Sequence, residues 1–403
     1  MRVGMPSLRR PSDAVLARDR PTEIARAASR SRDGIADERD ARAGERDRKA
    51  GERHGVTDCR DTMPVTRRMC RGYDRVADGM DGVRDHQDAE ATETSDERRG
   101  DMPPWTTAPV QHCWSGRNPR TFGTMKFGIA TFVTDEGISP LVLGPALEER
   151  GFDSVFLAEH SHIPTSRQTP YPSGGDLPRK YYRTLDPFVA LTAMASVTNR
   201  LLVGTGIALL PQRDVIHLAK EVASVDLVSD GRFQFGVGVG WNREEMRNHG
   251  TDPKTRGALM DEMLGALIGI WTSDEAEFHG SYLDFDPIFA WPKPVQRPHP
   301  PIYVGGESDA ALARLARFGD AWFPRSNTSP EKLREVRRWL TAQGRPDVPF
   351  TIFGAGKDPA KLAGYADGGV ERITFLLETM PESETLAELD VLAQLRPRVS
   401  AGE

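Results

Sequence analysis

The sequence predicts an α/β fold, a (β/α)8 TIM barrel, on three observations. From Met125 onward, short β-type runs alternate eight times with helical segments. Residues 125–403, 279 in all, are about what eight such units need. Capping residues, prolines and glycines punctuate the helices at the expected places.

A doubly wound sheet is the competing arrangement. It would have to start from Gly236-Val237-Gly238-Val239-Gly240, which follows a strand but lacks GxGxxG spacing and sits in the fourth unit. Alternating glycines inside a barrel strand are read more simply as room for a planar ligand to approach the backbone.

In chain order, strands are expected at Phe127–Ala130, Ser154–Ala158, Leu202–Ala208, Phe233–Val239, Ile302–Val304, Ala321–Phe323, Thr351–Gly354 and Arg372–Leu377. Helices are expected at 139–150, 186–198, 214–229, 256–271, 308–318, 330–343, 359–367 and 383–395. Asp186-Pro187, Ser329-Pro330 and Asp358-Pro359 each put a capping side chain before a first-turn proline. Gly151, Gly231 and Gly319 stop helices where a left-handed residue suits glycine.

Two connections are long, Glu159 to Thr184 and Thr272 to Pro301, and such loops are usually functional or disordered. The first leaves a strand at its C-terminal end, the catalytic face of barrels. Its Pro170, Tyr171, Pro172, Tyr181 and Tyr182 suit a lid over substrate. The second joins a helix to a strand at the other end and is read as structural padding.

Residues 1–124 have a different composition. They hold 23 arginines beside the single Lys49, and 22 acidic residues, with few large aliphatic side chains. Such a segment cannot bury enough apolar surface to offset its chain entropy, so a disordered leader is expected. The scarcity of lysine resembles GC-rich DNA translated upstream of a true start, and Met125 opens the first strand, Met125-Lys126-Phe127-Gly128-Ile129-Ala130. Met125 is then the expected native start, and 125–403 the globular barrel.

Composition excludes several classes. The longest apolar run, Leu201 to Leu210, is about half of a membrane span. No apolar signal segment follows the N-terminal arginines. Cys59, Cys70 and Cys113 all lie in the leader, which leaves the barrel without a disulfide, a thiolate ligand or a thiol nucleophile. The barrel carries 29 basic and 37 acidic side chains, a balance that argues against nucleic acid. A soluble, cytoplasmic protein acting on a small molecule is expected.

Phe156-Leu157-Ala158-Glu159-His160-Ser161-His162 carries a strand directly into an acid and two histidines at the catalytic rim. Glu159 and His160 suit a base, a hydrogen-bond donor to a ring cofactor or a metal site. The metal reading is weak, because no second cluster completes a ligand set. Pro300-Pro301-Ile302-Tyr303-Val304-Gly305-Gly306-Glu307-Ser308 leads through two glycines into a helix start, a site suited to phosphate. After the fourth strand, Asn242 suits a ring carbonyl or pyrophosphate, while Glu244 and Glu245 are read as solvated.

Together these stretches resemble the luciferase-like flavin and deazaflavin oxidoreductases. The resemblance rests on Phe278-His279-Gly280 and the run Trp291-Pro292-Lys293-Pro294-Val295-Gln296-Arg297-Pro298-His299-Pro300-Pro301-Ile302-Tyr303-Val304-Gly305-Gly306. Gly151-Phe152-Asp153-Ser154 with Glu159-His160, Leu202-Val203-Gly204-Thr205-Gly206 and Phe235-Gly236-Val237-Gly238-Val239-Gly240-Trp241-Asn242 support it. It covers Met125 to about Leu395.

The resemblance implies a barrel holding an isoalloxazine or deazaflavin ring in its C-terminal mouth, and a homodimer. It implies a non-prolyl cis bulge at Gly206–Ile207 under the ring, with Ala208 and Leu209 beside it. It also implies cofactor contacts at Asn242, Val304, Gly305 and Gly306, with His160 as the active-site histidine. Val239 stands where the sugar-phosphate dehydrogenase branch has a carboxylate, which argues against a sugar phosphate. The His-Pro-Pro-Ile-Tyr-Val-Gly-Gly run is similar to the coenzyme F420-dependent class, which transfers hydride. FMN in the same cradle implies monooxygenation with molecular oxygen, and a non-catalytic flavin-binding protein is a third reading. No metal is implied.

Overall fold

The structure, a computed structural model, describes residues 125–400. The leader expected at 1–124, with its cysteines, lies outside the described residues. The strands are β1 (Lys126–Thr131), β2 (Ser154–Leu157), β3 (Leu202–Thr205), β4 (Ala208–Leu209), β5 (Phe233–Gly238), β6 (Glu275–His279), β7 (Asp284–Phe289), β8 (Ile302–Gly305), β9 (Ala321–Phe323), β10 (Thr351–Ala355) and β11 (Arg372–Leu377). The helices are α1 (Pro140–Glu149), α2 (Pro187–Ser196), α3 (Val215–Val228), α4 (Arg243–Asn248), α5 (Arg256–Thr272), α6 (Asp309–Phe318), α7 (Pro330–Ala342), α8 (Pro359–Asp367) and α9 (Glu382–Ser400).

Eight strands run parallel in the order β10-β11-β1-β2-β3-β5-β8-β9. Single bridges from Trp322 to Phe350 and from Arg325 to Phe353 bring β9 back to β10, so the ring nearly closes. This is the (β/α)8 barrel the sequence predicts. All eight expected strand-helix units are present, and the short helix α4 and the antiparallel hairpin β6–β7 are additions.

Strand side chains alternate between two cores. Val155, Leu157, Val203, Phe233, Phe235, Ile302, Trp322, Ile373 and Phe375 belong to the large cluster shared with the helices. Phe156, Tyr303, Ala321 and Phe323 form a second cluster inside the ring, with Ile207 and Phe353 packed on it. Beneath them a polar layer is closed by hydrogen bonds. Arg372 donates to the Tyr303 hydroxyl at 3.0 Å and to Asp153 at 2.9 Å, and Tyr303 donates to Gln234 Oε1 at 2.9 Å.

The helix starts follow the expected chemistry. Asp186 accepts from the backbone N–H groups of Phe188 and Val189, Ser329 from Lys332, and Asp358 from Ala360 and Lys361. Gly151 and Gly231 are left-handed, with φ of 73° and 75°. Gly319 is not: its φ is −84°. Glycine is needed there for space, because a Cβ would lie 2.8 Å from both Leu315 Cδ1 and Val304 Cγ2.

The single strand expected over Leu202–Ala208 is two. A cis peptide joins Gly206 to Ile207 and separates β3 from β4, at the bond the family resemblance implies. This corrects the reading of the β5 glycines. A Cβ on Gly236 would run into the Thr205 carbonyl oxygen, and one on Gly238 into the Ile207 side chain. The glycines make room for the chain's own bulge rather than directly for a ligand.

Candidate active site

The mouth is the rim where the parallel strands end, and the connection after β2 reaches across it. A 3-10 turn at Arg179–Tyr182 carries Tyr181 onto Phe132, with ring centroids 4.6 Å apart. Tyr181 also meets His160 at 5.1 Å and Tyr171 at 5.4 Å, and Trp241, just past β5, meets His160 at 5.7 Å. Burial, reinforced by the nearby Tyr171 hydroxyl, pushes the Tyr181 phenol well up, so it stays protonated.

His160 leaves the end of β2 with only 5% of its side chain exposed. Its Nδ1 lies 2.8 Å from Glu245 Oε2, and Glu245 is fully buried. The other carboxylate oxygen of Glu245 accepts from the Ser161 backbone N–H at 3.1 Å. The expectation that Glu245 is solvated is therefore wrong. Asn242 caps α4 by accepting from the Glu245 N–H at 3.4 Å, while the Glu245 carboxylate faces the β2 exit. Glu244 is half-buried and accepts from Thr169 N–H at 3.4 Å.

Glu159 turns away from His160. It accepts from the Leu209 N–H at 2.6 Å and lies 2.5 Å from an Arg213 guanidinium nitrogen. Arg213 also pairs with Asp186 and Glu221, both at 2.8 Å. Burial pushes the Glu159 carboxyl up, and Arg213 with the Leu209 N–H pulls it back. This arrangement ties β4, beside the cis peptide, to the starts of α2 and α3. Glu159, His160, Ser161, Asp186, Gln212 and His249 line part of a cleft of about 310 Å³.

On the other side of the mouth, Val304 is buried and Gly305 and Gly306 are half-exposed where β8 ends. A Cβ on Gly305 would touch Ile207 Cγ2 and the Val237 carbonyl oxygen, each at 3.3 Å. Gly306 has φ of 105°, so the glycine is required by the backbone. Ser308 then caps α6, accepting from the Ala311 N–H at 3.3 Å. Two buried amide nitrogens, Asn242 Nδ2 and Gln212 Nε2, have no hydrogen-bond partner among the described residues. Buried polar groups are nearly always paired, so both mark places for a ligand or water.

The structure thus brings His160, Ile207 and Gly305 to one rim, and Asn242 beside Trp241. It places Glu159 in a supporting ion pair. Sequence reasoning missed Glu245, Trp241, Gln212 and Arg213. Asn242-Arg243-Glu244-Glu245 has the spacing of a capping box, which signals a helix start and gives no hint that the glutamate binds a histidine. Among the described residues no group of three or more His, Cys, Asp or Glu could hold a metal, and no helix is long and apolar enough to cross a membrane.

Comparisons with known proteins agree with this fold. Residues 141–358 match the family model described as luciferase-like monooxygenase. An uncharacterized protein of Mycobacterium tuberculosis is 37% identical over 276 residues, 67% of this chain and 98% of the relative. The FMNH(2)-dependent dimethylsulfone monooxygenase of Pseudomonas putida is 38% identical over 113 residues, but over only 27% of this chain and 31% of its own. A solved F420-dependent secondary alcohol dehydrogenase, in complex with an F420-acetone adduct, superposes with TM-score 0.55 at 16% identity, covering 68% of this chain and 99% of that one. A monooxygenase from Streptomyces bottropensis gives TM-score 0.55 at 22% identity over 67% and 98% of the two chains; both likenesses establish the shared fold. With a bulged barrel whose mouth carries His160 and a glycine-led helix start, and with that family model spanning more than half its length, the chain belongs to the luciferase-like monooxygenase family.

Proposed function

We propose that this protein is an F420-dependent oxidoreductase that transfers hydride to or from a small organic substrate at the barrel mouth. The observation that carries the reading is the fully buried Asn242 at the start of α4, whose amide nitrogen has no hydrogen-bond partner among the described residues. A ring carbonyl or pyrophosphate oxygen would satisfy it. The Gly305-Gly306 turn into α6 fits the cofactor phosphate, because side chains are absent and the helix start favours an anion. The His299-Pro300-Pro301-Ile302-Tyr303-Val304-Gly305-Gly306 run and the fold shared with an F420-dependent alcohol dehydrogenase support the choice of F420.

When bound, the deazaflavin supplies hydride chemistry; the chain orients it and selects the substrate. Ile207 presents a half-exposed side chain at the mouth, backed by Gly238 and Gly305. His160 holds or moves a proton at its imidazole, and Tyr181 and Trp241 limit water around it. Glu159 keeps the β4 backbone in place through Leu209.

A second reading, an FMN-dependent monooxygenase, is supported by the similarity to the FMNH(2)-dependent enzyme of Pseudomonas putida and to the alkanal monooxygenase alpha chain of Photorhabdus luminescens. Titrating the protein separately with F420 and FMN, following ligand fluorescence, decides between them. Tighter F420 binding with turnover independent of oxygen is the expected result; tight FMN binding with oxygen uptake would replace it.

The phosphate site has its own test. Gly306→Val should weaken the phosphorylated cofactor at least tenfold, about 1.4 kcal/mol, and leave a dephosphorylated analogue nearly unaffected. Equal losses for both ligands, in a variant still folded by circular dichroism, would put the phosphate elsewhere.

A further inference from the structure

Two carboxylates flank His160 in different senses. Glu159 precedes it in sequence, yet both its oxygens are engaged by Leu209 and Arg213. Glu245 lies 85 residues away and makes the contact, 2.8 Å to Nδ1. It is fully buried, and a buried carboxylate costs several kcal/mol unless hydrogen bonds compensate it. Its two described partners, the His160 ring and the Ser161 N–H, belong to consecutive residues leaving β2.

This arrangement differs from a helix cap. In a capping box the glutamate three residues after the cap returns to the cap residue's own backbone N–H. Here Asn242 makes its half of the box, and Glu245 reaches across to the other strand end. The side chain has been diverted from stabilising α4 to holding an imidazole.

We infer that Glu245 is the positioning residue of His160, holding Nδ1–H so that Nε2 is the atom presented for proton exchange. With one oxygen accepting from the Ser161 N–H and the other facing Nδ1, the carboxyl group is arranged as an acceptor on both sides, and this geometry gives Nδ1 the hydrogen in the pair. The Ser161 N–H on the second oxygen fixes the carboxylate, and Tyr181 and Trp241 flank the ring. The ring is therefore constrained in both tautomer and orientation. The same logic governs metal-bound and catalytic histidines, whose second nitrogen is set by a carboxylate or carbonyl.

The inference rests on His160 acting at the reacting ring, and the experiment keeps the two ideas separate. The ligand-free protein is labelled with 15N-histidine and its ring signals are recorded at about pH 9, where model imidazoles are neutral. His160→Ala identifies the signals of interest by their loss. The expected pattern is a protonated Nδ1 and a bare Nε2, changing in Glu245→Ala to the Nε2–H form preferred by free histidine. Turnover in Glu245→Ala should fall about 10–100-fold, while KM and cofactor affinity stay within about twofold. In the His160→Ala background the second substitution should add nothing, because residues acting as a unit are not additive. Where Glu245→Ala fails to fold, Glu245→Gln keeps the volume and should still reduce turnover about tenfold at an unchanged KM.

An Nε2–H ring in the unaltered protein would overturn the inference. So would a full second loss of turnover when Glu245→Ala is added to His160→Ala. Unchanged turnover in His160→Ala, with the Nδ1–H pattern intact in the unaltered protein, would instead sink the functional reading of His160 and with it any catalytic consequence of the pairing.

Discussion

The two long connections are alike in length and proline content and opposite in construction. The segment after β2 crosses the mouth and is fastened largely through side chains. Tyr171 and Tyr181 make tilted or edge-on ring contacts with Trp241, His160 and Phe132, and Arg179 and Arg183 form exposed ion pairs with Glu136 and Asp135. Exposed pairs of this kind contribute about 0–1 kcal/mol each. The segment after α5 is fastened through backbone. Glu262 accepts from the N–H groups of Ser281, Tyr282 and Leu283 at 2.8, 2.8 and 3.0 Å, and Lys293 donates to the carbonyls of Ile270 and Ser273, both at 2.6 Å. Aromatic contacts and surface ion pairs part at small cost; a capped hairpin does not. Length and proline content mark both segments as unusual, but the end of the barrel each occupies decides what each does.

Changes in the first segment should appear in kinetics, and changes in the second in stability. The largest effect is expected for Tyr181→Ala, which removes the ring contacts with Phe132, Tyr171 and His160. Aromatic pairs contribute about 0.5–1.5 kcal/mol each beyond burial, so kcat/KM should fall roughly 10–100-fold, mainly through KM. Steady-state kinetics beside a melting curve checks this, and a large drop in thermal midpoint with unchanged KM would erase the contrast.

Glu262→Ala is the matching change in the hairpin. Losing an acceptor shared by three N–H groups should cost about 1–2 kcal/mol and lower the midpoint roughly 2–6 °C, with kcat and KM unchanged. A kinetic defect here would mean that the hairpin reaches the active mouth after all.

The smallest effect is a difference in sign with pH. His249 follows α4 and meets the first segment through the Ser161 hydroxyl at 2.7 Å; its pKa is lowered by burial and then by the neighbouring His162. Its folded form binds fewer protons than its unfolded form, so its contribution to stability is lost as pH falls from 6.5 toward the folded value. His279 in the hairpin is raised by its hydrogen bond to Asp284. Its contribution is present below 6.5 and lost as pH rises through the folded value. Local amide exchange between about pH 5 and pH 8 should therefore show the two regions loosening at opposite ends of that range. His249→Gln and His279→Gln should each flatten only their own region.

The barrel was readable because its signals are local and repeated. Strand runs, Asp186-Pro187, Ser329-Pro330 and Asp358-Pro359 all act within a few residues, and each is found where expected. The break at Gly206–Ile207 was legible only through family resemblance, since a bend inside Leu202–Ala208 leaves no periodic trace. Gly319 was placed correctly for a mistaken reason: the constraint is space beside Val304, a residue of another element.

The site divides along the same line. Sequence alone determined that His160 stands at a strand end, that Gly305 and Gly306 lead into a helix, and that the chain alternates as a barrel must. These follow from neighbours in the chain and from the periods of helix and strand. Tertiary structure decided which carboxylate serves His160. Glu159 and Glu245 look alike as letters, and the nearer one is the natural choice. Closing the barrel brings β5 and α4 within hydrogen-bond reach of the β2 exit and turns Glu159 toward Arg213. A buried carboxyl group must find a partner wherever the fold provides one, and that partner is set by contact in space, which no local pattern records.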